Sequence, residues 1–159
     1  MDKAKLIEHI REQLTKDLAV LKAAARATAE AATHEESKPE NEYDTRGLEA
    51  SYLAGAQSKR IVETEELLVL YKHVELKNFS TSDVISSTAL VEVELNDKKN
   101  FFFILPKGGG INVDFAGKRI QVVTPNSPLG EALLGLKVGQ VAIVERGDQV
   151  LEYEILSLQ

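Results

Sequence analysis

The sequence predicts an α+β protein: an N-terminal antiparallel coiled-coil hairpin of helices over residues 1–72, then a small antiparallel β-sheet domain with one helix over 73–159. Three observations predict it. Apolar residues recur at steps of three and four up to Tyr71, then alternate with a period of two. A proline stands in a charged break between the two helical stretches. Asn, Asp and Gly punctuate the second half at intervals that suit tight turns.

The first helical stripe runs Ile7, Ile10, Leu14, Leu18, Leu21, Ala25 and Ala32, and is expected to end near Thr33. Residues 33–46 then crowd Glu35, Glu36, Glu40, Glu42 and Asp44 beside Lys38 and Arg46. Pro39 lacks an N–H and disfavours helical dihedrals at Lys38, so the helices cannot run together. Ser37 and Glu40 have capping-box spacing, with Pro39 in the first turn, which starts the second helix near Lys38. Its stripe is Tyr43, Gly47, Ala50, Ala54, Gln57, Ile61, Thr64, Leu68 and Tyr71. Folded back, Ala25 and Ala32 would meet Gly47 and Ala50, and Ile7, Ile10 and Leu14 would face Thr64, Ile61 and Gln57. Each arm of about thirty residues would project about 45 Å.

Beyond Tyr71, Ala89–Leu95 alternates cleanly, and Asn96-Asp97-Lys98-Lys99 turns it into Asn100–Leu105. Gly108-Gly109-Gly110 reads as a flexible connection to Ile111–Phe115, and a turn at Gly117 leads to Arg119–Thr124. Ser127 caps a short helix with Pro128 at its first position, closed by Gly135. Val141–Val144 and Val150–Leu156 form a last hairpin around Arg146-Gly147-Asp148-Gln149. Alternate residues share a face, so Phe101 and Phe103 are expected in the core. The Ser/Thr/Asp-rich residues 78–87 are expected to be a mobile loop.

Composition narrows the function. With 43% apolar and 28% charged residues the chain has the balance of a globular protein. It has no cysteine, which removes disulfides and thiolate chemistry and suits a reducing cytoplasm. No apolar run approaches membrane-spanning length, and Met-Asp-Lys-Ala-Lys lacks the apolar core of a signal peptide. A net charge of −6, shared about equally between the two halves, argues against electrostatic binding of nucleic acid by the whole molecule. His9, His34 and His73 have no zinc-site spacing. The acidic run lacks the Gly and terminal Glu of an EF-hand, and the triple glycine lacks the Lys-Ser/Thr of a phosphate loop. No catalytic centre of its own is expected. The acidic break is either a solvated loop that satisfies a helix N-terminus, or a set of oxygen ligands held out for a hard cation in another molecule.

Two stretches resemble the bacterial GreA/GreB transcript-cleavage factors. Asn126-Ser127-Pro128-Leu129, Ala132-Leu133-Leu134-Gly135 and the closing Glu152-Tyr153-Glu154-Ile155 look like that family's C-terminal motif. His34, Lys38, Glu42 and Tyr43 fall in its order and spacing at the tip. The resemblance implies a hairpin that enters the secondary channel of RNA polymerase, with an FKBP-like C-terminal domain docked at the channel rim. It implies a cytoplasmic monomer with no membrane contact, meeting nascent RNA only indirectly, within the complex. It would have no cofactor of its own and would share a Mg2+ with the polymerase, with tip acids assisting the partner's active site. Glu36 stands where the family has an Asp, and Pro39 where it has a Glu, which leaves Glu36, Glu35 and Glu40 to serve, with Glu36 as the metal ligand. Residues 44–60 are longer than the family's equivalent. Asn126, Ser127, Pro128 and Leu133 are the expected partner contacts. Two alternatives stand beside this: an FKBP-like prolyl isomerase or chaperone, and a coiled-coil scaffold for another partner.

Overall fold

The computed structural model describes residues 1–33 and 46–159. Helix α1 spans Lys3–Thr33 and α2 spans Arg46–His73. Six strands follow: β1 Leu90–Leu95, β2 Lys98–Ile104, β3 Asn112–Phe115, β4 Lys118–Val123, β5 Val141–Arg146 and β6 Gln149–Leu158, with helix α3, Pro128–Leu133, between β4 and β5. The chain divides into two compact units, Glu8–Val74 and the remainder, Met1–Ile7 with Glu75–Gln159. The first seven residues, assigned to the hairpin on sequence, therefore count with the sheet. The predicted start of the second helix near Lys38 and its capping box lie outside the described residues.

In the helical unit, Ile10, Leu14 and Tyr71 are buried, while Ile61, Thr64 and Leu68 are half-buried. Lys22 reaches across to Glu65 at 2.9 Å. The register expected from the two stripes would have set Lys22 level with Glu49, roughly four helical turns nearer the break. The described members of both stripes are buried or half-buried as expected, but the Lys22–Glu65 pair sets a different pairing. A stripe repeats every turn and a half or so, and its period carries no information about how far one helix slides along the other.

The sheet runs β3-β4-β2-β1-β6-β5. It is mixed rather than antiparallel as expected, because β2 and β4 pair in parallel from Phe101↔Ile120 to Ile104↔Val123. The chain leaves β2, passes one strand position outward to β3, and hairpins back so that β4 fills the gap. Alternation at a period of two is the same for both pairings, so only this route decides the direction. The β1–β2 turn falls where expected but is two residues long rather than four: Lys98 and Lys99 are already in β2, Leu95 faces Lys98, and Asn96 and Asp97 are both at positive φ, 51° and 60°.

One face of the sheet packs under α3, where Val91, Val93, Phe102, Ile104, Ile155 and Leu133 close a core with Ile85. Phe103 is buried on the other face, as expected. Phe101 is only half-buried, its ring lying under the Lys118 ammonium at 4.3 Å. Residues 78–87 are tied down rather than loose. Asp83 accepts from the Ser80 N–H and hydroxyl, which hold its carboxyl below the ordinary aspartate value. Ile85 exchanges backbone hydrogen bonds with Gly135 and Leu136 and is fully buried. The N-terminus is fastened to the same unit. Lys3 donates to the carbonyls of Lys77 and Thr88, the latter at 2.9 Å, and lies over the Phe79 ring at 4.7 Å.

Candidate functional site

The segment Asn126-Ser127-Pro128 is the point where the chain leaves the parallel pair and turns into α3. Thr124 follows β4 with its carbonyl facing this turn, where it accepts from the Ser127 N–H at 3.1 Å and the Ser127 hydroxyl at 2.7 Å. The same Ser127 oxygen accepts the Gly130 N–H at 3.1 Å and so caps α3, while Pro128 occupies a first-turn position where no N–H is needed. Gly130 is required for this closeness. A Cβ built there would lie 1.9 Å from the Thr124 carbonyl oxygen.

The result is a rigid corner with an exposed Asn126 and Pro128 and a half-buried, fully engaged Ser127. It forms one bank of a groove of about 480 Å³. Phe102 and Tyr153 make part of its floor, their rings edge to face with centroids 6.0 Å apart. Leu129 and Val144 add apolar wall, and Arg146 places a cation at the edge. A mostly apolar trough with a fixed corner and one charge suits an apolar side chain presented by another macromolecule.

Four residues were expected at this contact, and the structure separates them. Asn126 and Pro128 are available to a partner. Ser127 lines the groove, but its hydroxyl is committed to the helix cap. Leu133 does not join them at the surface: its side chain is completely buried in the core beneath α3. In so short a helix the residue five positions after the first faces the sheet. Tyr153, Arg146 and Val144 were not singled out as site residues. Their signal was period-two alternation in the last hairpin, which places Tyr153 on the same face as Ile155. Glu35, Glu36 and Glu40 lie outside the described residues. Among the described residues, no three His, Asp or Glu side chains gather as a metal site.

Residues 80–159, which contain this corner and groove, match the family described as transcription elongation factor GreA/GreB, C-terminal. The chain belongs to the GreA/GreB family. A transcription elongation factor GreA from Amoebophilus asiaticus is 32% identical over 63% of this chain, a match that spans 60% of that relative's length. Another, from Acetivibrio thermocellus, is 28% identical over 75% of the chain and 69% of its own. Among solved structures, GreA factor homolog 1 (Gfh1) of Thermus thermophilus aligns over 94% of each chain at 21% identity, with a TM-score of 0.38. Nothing in these comparisons supports the prolyl isomerase or chaperone alternative. No helix among the described residues is long and apolar enough to cross a membrane.

Proposed function

We propose that this member of the GreA/GreB family is an accessory factor of bacterial RNA polymerase, acting in the cytoplasm as a monomer. It docks through the corner at Asn126–Pro128 and modulates elongation or pausing by placing its helical hairpin in the secondary channel. The observation that carries the reading is that corner. Within the family-matched segment, the exposed Pro128 borders an apolar groove, the exposed Asn126 stands beside it, and the Ser127 cap holds the corner. A preorganised corner loses little entropy on binding. Polymerase pull-down tests it with Asn126→Lys/Pro128→Glu, both exposed positions. Binding should be abolished while circular dichroism is unchanged, and undiminished binding would remove this surface from the reading.

The tip determines whether the factor also assists cleavage. A Mg2+ shared with the polymerase would supply the second metal for phosphodiester hydrolysis, with Glu36 and its neighbours Glu35 and Glu40 as candidate ligands. Pro39 offers no oxygen, and Glu40 has the spacing to cap the second helix. Adjacent carboxylates converge poorly on one ion, so cleavage is expected to be weak or absent, and the regulatory effect to come from occupancy of the channel. Nascent RNA would be met only inside that complex. Cleavage assays on backtracked elongation complexes, with wild type and Glu35→Ala/Glu36→Ala, distinguish the two modes. Robust cleavage lost in the double variant would establish a cleavage-assisting role instead.

A further inference from the structure

We propose that the cleft between the β1–β2 and β3–β4 hairpins binds the phosphate groups of a nucleotide. The two hairpins are joined only by the parallel pair β2–β4, and that pairing begins at Phe101↔Ile120. Each strand starts earlier, at Lys98 and Lys118, where each is already paired to its own hairpin partner, Leu95 and Phe115. The unpaired starts leave a cleft of about 440 Å³, within the size range of small-ligand sites.

Its lining is one-sided in charge. Lys99 lies on one lip and Lys118 on the other, both on the Phe101 face of the sheet, while Arg119 lies on the opposite face with Asn100 and Gln121. No carboxylate lines the cleft, although Glu94 and Asp114 stand opposite Lys99 and Arg119 in their own hairpins. In a chain of net charge −6 this is a local reversal. Like charges on facing lips repel, and a bound anion would relieve that repulsion. Two of the three cations have neighbours inside the protein. Lys99 pairs with Glu92 at 3.1 Å, and Lys118 lies over the Phe101 ring. Burial alone would raise the Glu92 carboxyl, but hydrogen bonds from Lys99 and Ser157 and the charges of Lys99 and Lys118 hold it below the ordinary glutamate value. Lys99 and Lys118 thus act on Glu92 as well as lining the cleft. Arg119 is exposed and makes no ion pair among the described residues, and its planar fork suits two phosphate oxygens. Gly117 at the turn has no atom within 4 Å of where a Cβ would stand, so a phosphate can approach the backbone there.

A free nucleoside triphosphate and an RNA strand offer the same phosphate chemistry, and the test separates them. The full chain is titrated by amide NMR with ATP and with a short single-stranded RNA, at low salt. The expected result is saturable shifts at residues 99–102 and 117–121, with a Kd of about 1 mM or tighter for at least one ligand. Lys118→Glu/Arg119→Glu should weaken that binding about tenfold or more. Lys16→Glu/Lys72→Glu, the same charge change in the helical unit, should alter it less than about twofold. Tighter ATP identifies free nucleotide as the source, and tighter RNA identifies the strand backbone. Both substituted residues are exposed, and an unchanged unfolding midpoint checks that the variant is folded. Absence of saturable shifts, or equal weakening by both double variants, overturns the proposal. Its failure would leave the polymerase reading untouched, because that reading rests on the α3 corner.

Discussion

Beneath α3, Val91, Val93, Phe102, Ile104 and Leu133 are sealed from water, whereas the seam between α1 and α2 stays partly wet along most of its length. Among the described residues of Glu8–Val74, only Ile10, Leu14 and Tyr71 are buried, while α2 leaves Leu53, Val62 and Val69 more than half exposed. The sheet unit gains its stability from a closed apolar core. The helical unit holds together along a narrow stripe and presents most of its surface to its surroundings. In this family member, one unit supplies rigidity and the other supplies surface, so core substitutions and seam substitutions should differ in cost.

The sharpest test compares equivalent truncations. Leu133→Ala should cost about 3 kcal/mol, the usual loss at a sealed core position. Ile61→Ala, at the half-buried seam, should cost about 1 kcal/mol. Denaturant unfolding of the two variants measures both, and equal losses would erase the distinction. Next in size is Gly130→Ala. Its Cβ meets the Thr124 carbonyl oxygen at 1.9 Å, so α3 must shift, at a cost of about 2 kcal/mol. Helical circular dichroism should persist, since α1 and α2 dominate it. Smaller still is Lys22→Ala. The Lys22–Glu65 pair is about half exposed on both sides, and its loss should cost under about 0.5 kcal/mol. A loss above about 1 kcal/mol would mean that the seam relies on charge rather than burial.

The smallest effect is a slope with pH. Burial lowers the Lys3 ammonium from 10.5 to about 8. Between about 8 and 10.5 the unfolded chain then binds more protons at this residue than the folded chain does. Its contribution to stability therefore rises with pH across that window. NMR titration of the Lys3 side chain should give a midpoint near 8, and Lys3→Met should flatten the slope. A midpoint near 10 would show that the two carbonyls and the Phe79 ring hold the charge against burial.

Local chemistry was legible in the sequence wherever a residue's own conformational needs decide the structure. Asn96-Asp97 announced a turn, though one read as two residues longer than it is, and Ser127-Pro128 announced a capped helix, because positive φ and a missing N–H are properties of those residues. The direction of β4 was not legible, since alternation is blind to strand direction. Neither was the slide of α1 against α2, which depends on a break between them rather than on either stripe. Residues 78–87 were misjudged on their Ser, Thr and Asp content. One isoleucine, Ile85, anchors the segment by burying its side chain and exchanging two backbone hydrogen bonds. Leu133 was assigned to the surface by motif, but α3, only six residues long, leaves too little period to show which side faces the sheet. At the candidate site, the corner was readable as a cap and the groove opposite it was not, because its other bank comes from a hairpin some twenty residues later.

The fastening of Lys3 to Lys77 and Thr88 has a further consequence during synthesis. Lys3 is made before its two carbonyl partners, which follow only after the helical segment has been synthesised. Lys3 must therefore wait for residues 77–88 before this fastening can form. Contacts so distant in sequence form slowly. The helices, whose contacts are local, can be complete while the sheet is still being translated. A truncated chain that stops short of β6 would carry its helices and the Lys3 fastening but lack the strand that pairs with both β1 and β5. Such a chain would expose its half-built sheet to proteolysis while its helices stayed intact.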